Sequence, residues 1–476
     1  MFRPVVGSLP VSFPRLLPVA ESLRGVGEAC RACRRIAVIG LVSAAGLVVV
    51  PAHAQVTVQT IIGRAVTDDT HTAEVNNAIS RFRESDVDGA RNVLERIHTE
   101  DPKVPPPGVM MATLWLAANQ IPQARRELDL TTAKYPDDPE AYLVLADLDF
   151  QERRVTEASV LFERATELTE KFDANAKRKR DFRIRCEAGT AAVCEARGEW
   201  EAALGHIEKW VEIDPDSAGA RQRLGNTLFQ LGRADDSLEA FREARKLDEA
   251  MRQPEMLLAS LYDQAKKPDE ARKLVTAAVT AAGDDVAVRI GAANWFLVHG
   301  DVAAAKENAT AALELDPKSL DGRLVNGAIA RVQRDFPVAT KFFEEAHAQS
   351  PRSYPASESL ALVLAESSDK DDVQRALEIA ETNFAMVKDN AQLQVSAATT
   401  TAWVYYKLGR MADAEKILAQ VAQNNALSAD GAYYISRILV DKGEKEQAKR
   451  LLEQVIANEA MFANRAAAEE LLEEVR

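Results

Sequence analysis

Gly198-Glu-Trp-Glu-Ala-Ala-Leu-Gly-His-Ile-Glu-Lys-Trp-Val-Glu-Ile-Asp-Pro215 decides the fold. Trp200, Ala203, Ile207 and Trp210 return at intervals of three and four, the spacing of one face of an α-helix. Gly198 stands where a preceding helix must end, because glycine accepts the left-handed turn that closes a helix. Asp214-Pro215 stops the helix at the other end, since the residue before proline avoids the helical region. The stretch reads as one amphipathic helix between two turns.

It is also one copy of many. Ala203 belongs to a series formed by Ala90, Ala124, Ala158, Ala203, Ser237, Ala271, Ala305, Ala339, Ala376, Ala414 and Ala448. Seven of the ten intervals equal 34; the others are 45, 37 and 38. Four residues beyond each anchor lies Leu94, Leu128, Phe162, Ile207, Phe241, Val275, Ala309, Phe343, Ala380, Leu418 or Leu452, on the same helical face. Twelve before each anchor lies a second small residue, from Ala78 and Ala112 through Gly225 and Gly327 to Ser436, with Leu364 the exception. Small residues at two fixed points let paired helices approach closely. Gly198, Gly232, Gly300, Gly409 and Gly443 precede their anchors by five, and Pro102, Pro136, Pro215, Pro317 and Pro351 follow theirs by twelve. Each unit is therefore helix, turn, helix, turn, repeated about eleven times.

Composition agrees. The 476 residues are 47% hydrophobic but only 6% aromatic, and the net charge is −14. The segment 1–54 carries six basic and two acidic side chains, so the remainder stands at −18. A field of that sign, without an array of base-stacking aromatics, argues against nucleic-acid binding.

The segment 1–54 reads as an address. Arg34 and Arg35 precede an apolar run from Ile36 to Val50, followed by Pro51, Ala52, His53 and Ala54. A basic flank, a short apolar run and a small-x-small site mark a secretory signal peptide with an atypically long N-terminal extension. Fifteen helical residues span about 22 Å, less than the ~30 Å apolar core of a bilayer. The expectation is cleavage after Ala54 and export to a periplasm or cell envelope; the rival is an uncleaved inner-membrane anchor at 36–50. Cys30 and Cys33 fall within this segment, and no Cys follows the apolar run to support a lipoprotein anchor. Residues 55–70 are expected to be linker, 71–170 repeats 1–3, 171–183 a basic insertion that reads as a longer second helix or a linker, 184–462 repeats 4–11, and 463–476 a closing helix. In that last segment Leu471, Leu472 and Val475 would cover the final repeat while Glu469, Glu470, Glu473 and Glu474 face water.

Little of the mature chain points to chemistry. His71, His98, His206, His299 and His347 never pair at metal-ligand spacing, and no phosphate-binding loop or nucleophile elbow appears. Cys186 and Cys194 lie eight apart on one expected helix, about 12 Å along its axis, too far for a disulfide. The expected protein is not an enzyme and has no cofactor, catalytic residue or metal site. The run Lys177-Arg178-Lys179-Arg180, with Arg183 and Arg185, is the one dense basic patch. It reads as a solvated linker or as a dock for an acidic partner, a polyanionic glycan or a lipid head group.

The spacing, with Leu224-Gly225 and Leu231-Gly232, resembles the tetratricopeptide repeat over residues 71–462. The resemblance implies an all-α solenoid, a right-handed superhelix of about eleven helix-turn-helix units with a C-terminal capping helix. It also implies a non-catalytic scaffold that binds a protein or peptide in its concave groove. There the second, fifth, ninth and twelfth positions of each first helix point inward. Carried over, these are Arg185, Ala188 and Glu195; Gln222, Asn226 and Phe229; Ile290, Asn294 and Leu297; and Asp321, Leu324 and Arg331. Asn226 and Asn294 share the ninth position, and an amide there offers both a donor and an acceptor to an extended backbone. The candidate binding residues are Gln222, Asn226, Asn294, Arg331 and Arg185. The Lys, Asn and Arg clamp of the chaperone-binding branch does not assemble, so capture of an acidic C-terminal tail is not expected. Two alternatives stand beside this reading. One is a membrane-anchored, non-catalytic subunit or regulator of an envelope enzyme or of a secretion or polysaccharide assembly system. The other is an enzyme whose site is built on the solenoid. Asn326 sits where the family keeps Leu, as a buried polar group with a partner or a local slip of register.

Overall fold

The turns come from residues that satisfy orphan backbone groups. Asp86, Ser217, Asp301, Ser319 and Ser428 each accept a backbone N–H three residues on, which caps the helix that follows. Gly198, Gly232, Gly300, Gly409 and Gly443 all take a positive φ between 73° and 83°. Ser85, Asn119, Arg153, Lys266 and Arg334 hold the same position of their repeats, five before the anchor, and take φ between 57° and 68°. A left-handed residue thus closes the first helix in every unit except the ninth, whatever its side chain.

The computed structural model describes residues 57–62, 71–421, 427–458 and 460–476. The signal segment and its Cys30–Cys33 pair lie outside the described residues. The described part is all-α, with 24 helices, and the chain divides into two compact units, Met1–Met251 and Arg252–Arg476. The first unit holds α1 (Val58–Ile62), α2 (Thr72–Arg83), α3 (Val87–Glu100), α4 (Pro107–Ala117), α5 (Ile121–Lys134), α6 (Glu140–Gln151), α7 (Val155–Lys171), α8 (Ala176–Arg197), α9 (Trp200–Ile213), α10 (Ala218–Gln230) and α11 (Ala234–Leu247). The second holds α12 (Pro254–Gln264), α13 (Pro268–Ala281), α14 (Val286–Val298), α15 (Val302–Leu315), α16 (Leu320–Val332), α17 (Phe336–Gln349), α18 (Tyr354–Leu364), α19 (Lys370–Met386), α20 (Ala391–Lys407), α21 (Met411–Val421), α22 (Ala429–Asp441), α23 (Lys445–Ile456) and α24 (Arg465–Glu474). From α2 to α23 these are eleven consecutive pairs, and α24 closes the array. Leu471, Leu472 and Val475 are buried, while the four neighbouring glutamates are exposed.

The anchors pack as their spacing requires. All eleven are 0% exposed. Where the residue four beyond is Phe241 or Phe343, its ring lies on Gly225 or Gly327 of the paired helix, where a Cβ would sit 2.5 Å from a ring carbon. Phe162 packs instead on Gly189 of the next unit. Asn326 is buried and its amide donates to the carbonyls of Ala309 and Gly322, both at 2.8 Å. It is a satisfied polar group, made reachable by the undersized Ala309.

Two stretches differ from the sequence reading. Residues 58–62 of the expected linker form α1, whose Ile61 and Ile62 are buried against the first units. At 171–183 the helical alternative holds over most of the stretch, though as a longer first helix of the fourth repeat: α8 begins at Ala176 and runs for 22 residues. Length is also added in α7, α19 and α20, each 17 residues against 13 or 14 in α9, α10 and α11. Cys186 and Cys194 are buried free thiols, and burial pushes both above the ordinary thiol pKa.

Candidate functional site

The expected inward positions divide into free amides and committed charges. Gln222 and Asn226 are half-buried on α10 in the first unit, and Asn294 is exposed on α14 in the second. None of the three side chains takes part in a hydrogen bond among the described residues. Phe229, Ile290, Leu297 and Leu324 are half-buried beside them on their helices, and Asp321 is exposed.

The charged candidates are occupied within the chain. Arg185 donates to Asp147 Oδ2 at 2.6 Å. Burial lifts the Asp147 carboxyl above its ordinary pKa even against the pull of Arg185. Glu195 accepts two hydrogen bonds from Arg223, at 2.9 and 2.7 Å, and one from Thr227. Arg331 reaches Asp430 Oδ2 at 2.8 Å and the Tyr434 hydroxyl at 3.0 Å. Burial opposes its charge, but Tyr434 and Asp430 together hold it more basic than an ordinary arginine. Arg185 and Arg331 are therefore structural ties in this conformation and not free groove cations.

The basic run is partly committed within the chain: Lys177, Arg180 and Arg183 are exposed, while Arg178, Lys179 and Arg185 are covered. Arg178 is only 4% exposed. Its guanidinium donates to Asp138 at 3.0 Å, Glu140 at 2.7 Å and, more weakly, to the carbonyls of Lys103 and Val104. It also lies 5.1 and 5.0 Å from the ring centroids of Phe172 and Phe182. Lys179 binds the Glu170 carbonyl and Asp173, Arg180 binds Asp214 and the Ile213 carbonyl, and Arg183 faces Glu170. The run lies on helix and Arg178 braces α8 on its neighbours, which corrects the linker part of the reading, while its exposed members remain solvated. Arg178 reads as surface in sequence because its partners lie 38 to 75 residues away.

A feature that sequence reasoning missed lies in the second unit. Trp403 of α20 stacks on Tyr434 of α22 at 4.5 Å and on Tyr406 at 5.1 Å, with Tyr433 at 6.0 Å. Trp403 Nε1 donates to Glu366, which also takes Lys407. Tyr406 donates to Asp441 at 2.6 Å. The signal was present: four of the chain's eight tyrosines are the pairs 405–406 and 433–434. In the register above, Trp403 and Tyr406 are ninth and twelfth positions, and Asp430 and Tyr433 are second and fifth.

Among the described residues no group of three or more His, Cys, Asp or Glu side chains could hold a metal ion. The first unit offers amide donors and acceptors, the second an amide and aromatic faces, and the inward arginines of both are neutralised within the chain.

Two segments, 81–148 and 223–286, match family models described as tetratricopeptide repeat. Among solved structures, a tetratricopeptide repeat protein from Parabacteroides merdae is 16% identical, covering 54% of this chain and 98% of that one at a TM-score of 0.41. Yeast Tom70 is 13% identical, covering 85% and 95% at 0.36. YrrB, described as a protein of this repeat class with an unusual peptide-binding site, is 16% identical, covering 48% and 95% at 0.23. No curated protein matches the chain.

Proposed function

We propose that the chain is a tetratricopeptide-repeat protein and a protein–protein interaction scaffold that works outside the cytoplasm, holding an extended segment of a partner against its first helices without catalysing a reaction. The observation that carries the binding mode is the contrast between the inward positions. Arg185, Glu195 and Arg331 are tied within the chain, while the amides of Gln222, Asn226 and Asn294 have no hydrogen-bond partner among the described residues. An extended backbone presents alternating donors and acceptors, and a side-chain amide answers both. Selectivity would then come from apolar neighbours such as Phe229, Ile290 and Leu297, with the net charge of −14 turning away polyanions.

Export rests on the basic pair, the short apolar run and the Ala52-His53-Ala54 site. Among the described residues no helix is long and apolar enough to cross a membrane. The envelope assembly that the scaffold serves would be named by its partner.

The test is photo-crosslinking in cells from positions 226 and 294, with exposed Leu130 of the second helix α5 as control. A reproducible protein adduct from either position, absent from 130, supports the groove; equal adducts from all three sink it. Sequencing the N-terminus of the purified protein addresses export: Gln55 is expected, and an intact 36–50 segment refutes cleavage.

A further inference from the structure

In an open solenoid each unit touches only its neighbours. The second unit breaks that rule on one side. Arg331, at the end of α16 in the eighth repeat, bonds Asp430 and Tyr434 of α22 in the eleventh, across 99 and 103 residues. The segment 460–464, which follows the eleventh repeat, reaches further back. The Met461 N–H donates to the Val298 carbonyl at 2.7 Å, at the end of α14 in the seventh repeat. The Met461 methyl lies over Gly300, 3.7 Å from where a Cβ would stand. Asn464 then fastens the segment: its backbone N–H and its side-chain amide both donate to Asp430 Oδ1, at 3.0 and 2.8 Å, and the amide reaches the Tyr434 hydroxyl at 3.0 Å. All the receiving residues belong to first helices or to the turns that end them. The first helices of repeats seven and eleven are therefore tied together by a short stretch of non-helical chain, and Arg331 ties that of repeat eight to the same Asp430 and Tyr434.

The contacts have the form of peptide recognition. One main-chain N–H meets a carbonyl at a helix end, where carbonyls lack helical partners. Three residues on, a side-chain amide meets a carboxylate that Arg331 holds in place. Beside them the Trp403, Tyr433 and Tyr434 rings form one aromatic cluster.

We propose that residues 460–464 are a resident occupant of the second unit's inner face, and that a partner enters that face by displacing them with a short non-helical segment of the same kind: an apolar residue, an aromatic, and an Asn two residues after it. The proposal rests on the scaffold reading above. It adds that the second unit is shut by its own chain, so that release of the strap, and not only affinity, governs binding there.

The first measurement is native-state hydrogen exchange on the unaltered chain. The Met461 amide is expected to be protected, yet to exchange faster than the amides of α20 and α22, through an opening of the strap alone. Exchange in step with those helices would overturn the proposal, because the strap would then be an inseparable part of the fold. The second measurement uses Met461→Pro/Asn464→Ala, which removes the donor to Val298 and the amide from Asp430 and Tyr434 while leaving every receiving residue in place. Strap amides should exchange about tenfold faster or more, and a fluorescein-labelled peptide, Ala-Met-Phe-Ala-Asn, should bind this variant saturably and the unaltered chain weakly. Equal binding to both would overturn displacement. Circular dichroism checks folding of the variant; if its helices are lost, the exchange data on the unaltered chain still decide. Crosslinking from position 226 in the first unit does not involve the strap, so it reports separately on the scaffold reading.

Discussion

Replacing Gly225 with alanine should destabilise the array even though alanine is the better helix former. A methyl group at that position would stand 2.5, 2.7 and 2.9 Å from Cε1, Cδ1 and Cζ of Phe241. Ordinary carbon contacts begin near 3.5 Å, so the ring must withdraw by roughly 1 Å. It has nowhere to go, since Phe241 is fully buried. Helix propensity returns about 0.5–1 kcal/mol for Gly→Ala, while overpacking a filled core costs about 1–3 kcal/mol. The net expectation is a loss of up to about 2.5 kcal/mol, centred on about 1 kcal/mol. Gly205 supplies the control: it lies inside α9 with nothing within 4 Å of its Cβ position, so Gly205→Ala should gain the propensity term alone. The two substitutions, chemically identical, should move stability in opposite directions. Phe241→Leu in the Gly225→Ala background should recover part of the loss. Urea titration by circular dichroism, with hydrogen exchange over α10 and α11, reads both the whole and the local effect. The local probe is needed because repeat arrays do not always unfold in one step. If Gly225→Ala were neutral or stabilising, the argument that Gly at this position is set by the Phe opposite would fail.

Other consequences can be checked in the same way. Lys266→Gly and Arg334→Gly should each stabilise by about 0.5–1 kcal/mol, because both residues hold a left-handed φ that costs a side chain energy; a loss on urea titration would show that their side chains matter more than their backbone. Arg178→Ala should cost about 3–5 kcal/mol, since it strands Asp138 and Glu140 beside two aromatic rings; limited proteolysis near Phe172 should accelerate, and an unchanged digestion pattern would return the segment to linker. Glu358 is buried among Thr400, Ser396, Asn383 and Tyr354, and burial raises its carboxyl above the ordinary value of 4.5 against the pull of those donors. A raised acid pKa means that its stabilising contribution is complete below 4.5 and is lost as pH climbs through the folded-state value. Glu358→Gln should therefore be the more stable protein at pH 8, by about 1–3 kcal/mol, and the advantage should vanish below pH 4.5; an advantage independent of pH would refute the assignment.

The array was legible because its signal is local and repeated. Anchors at a constant spacing and glycines five before them fix the helix pairs without reference to distant chain. The left-handed position at Ser85, Asn119, Arg153, Lys266 and Arg334 was not legible, since in those units the residue type does not announce it. Arg178 was misread because a run of four basic residues carries no trace of Asp138, forty positions away. Arg185 and Arg331 were placed on the right helices, but their partners Asp147 and Asp430 could not be foreseen. The tie from Met461 to Val298 runs from beyond the eleventh repeat back to the seventh through a single main-chain bond, which no periodicity encodes. Local rules wrote the units; single long-range contacts wrote the exceptions.

The longer helices carry a further meaning. The irregular intervals of 37, 38 and 45 exceed the regular 34 by three, four and eleven. A helical turn is about 3.6 residues, so these excesses are close to one, one and three whole turns. An insertion of a whole turn lengthens a helix and returns its buried stripe to the same bearing; half a turn would swing Ala376 or Ala414 out toward water. Length in this chain thus behaves as a quantised variable. A designer who shortens α8, α19 or α20 should cut in threes, fours or sevens, and related chains that differ in length should differ by the same steps.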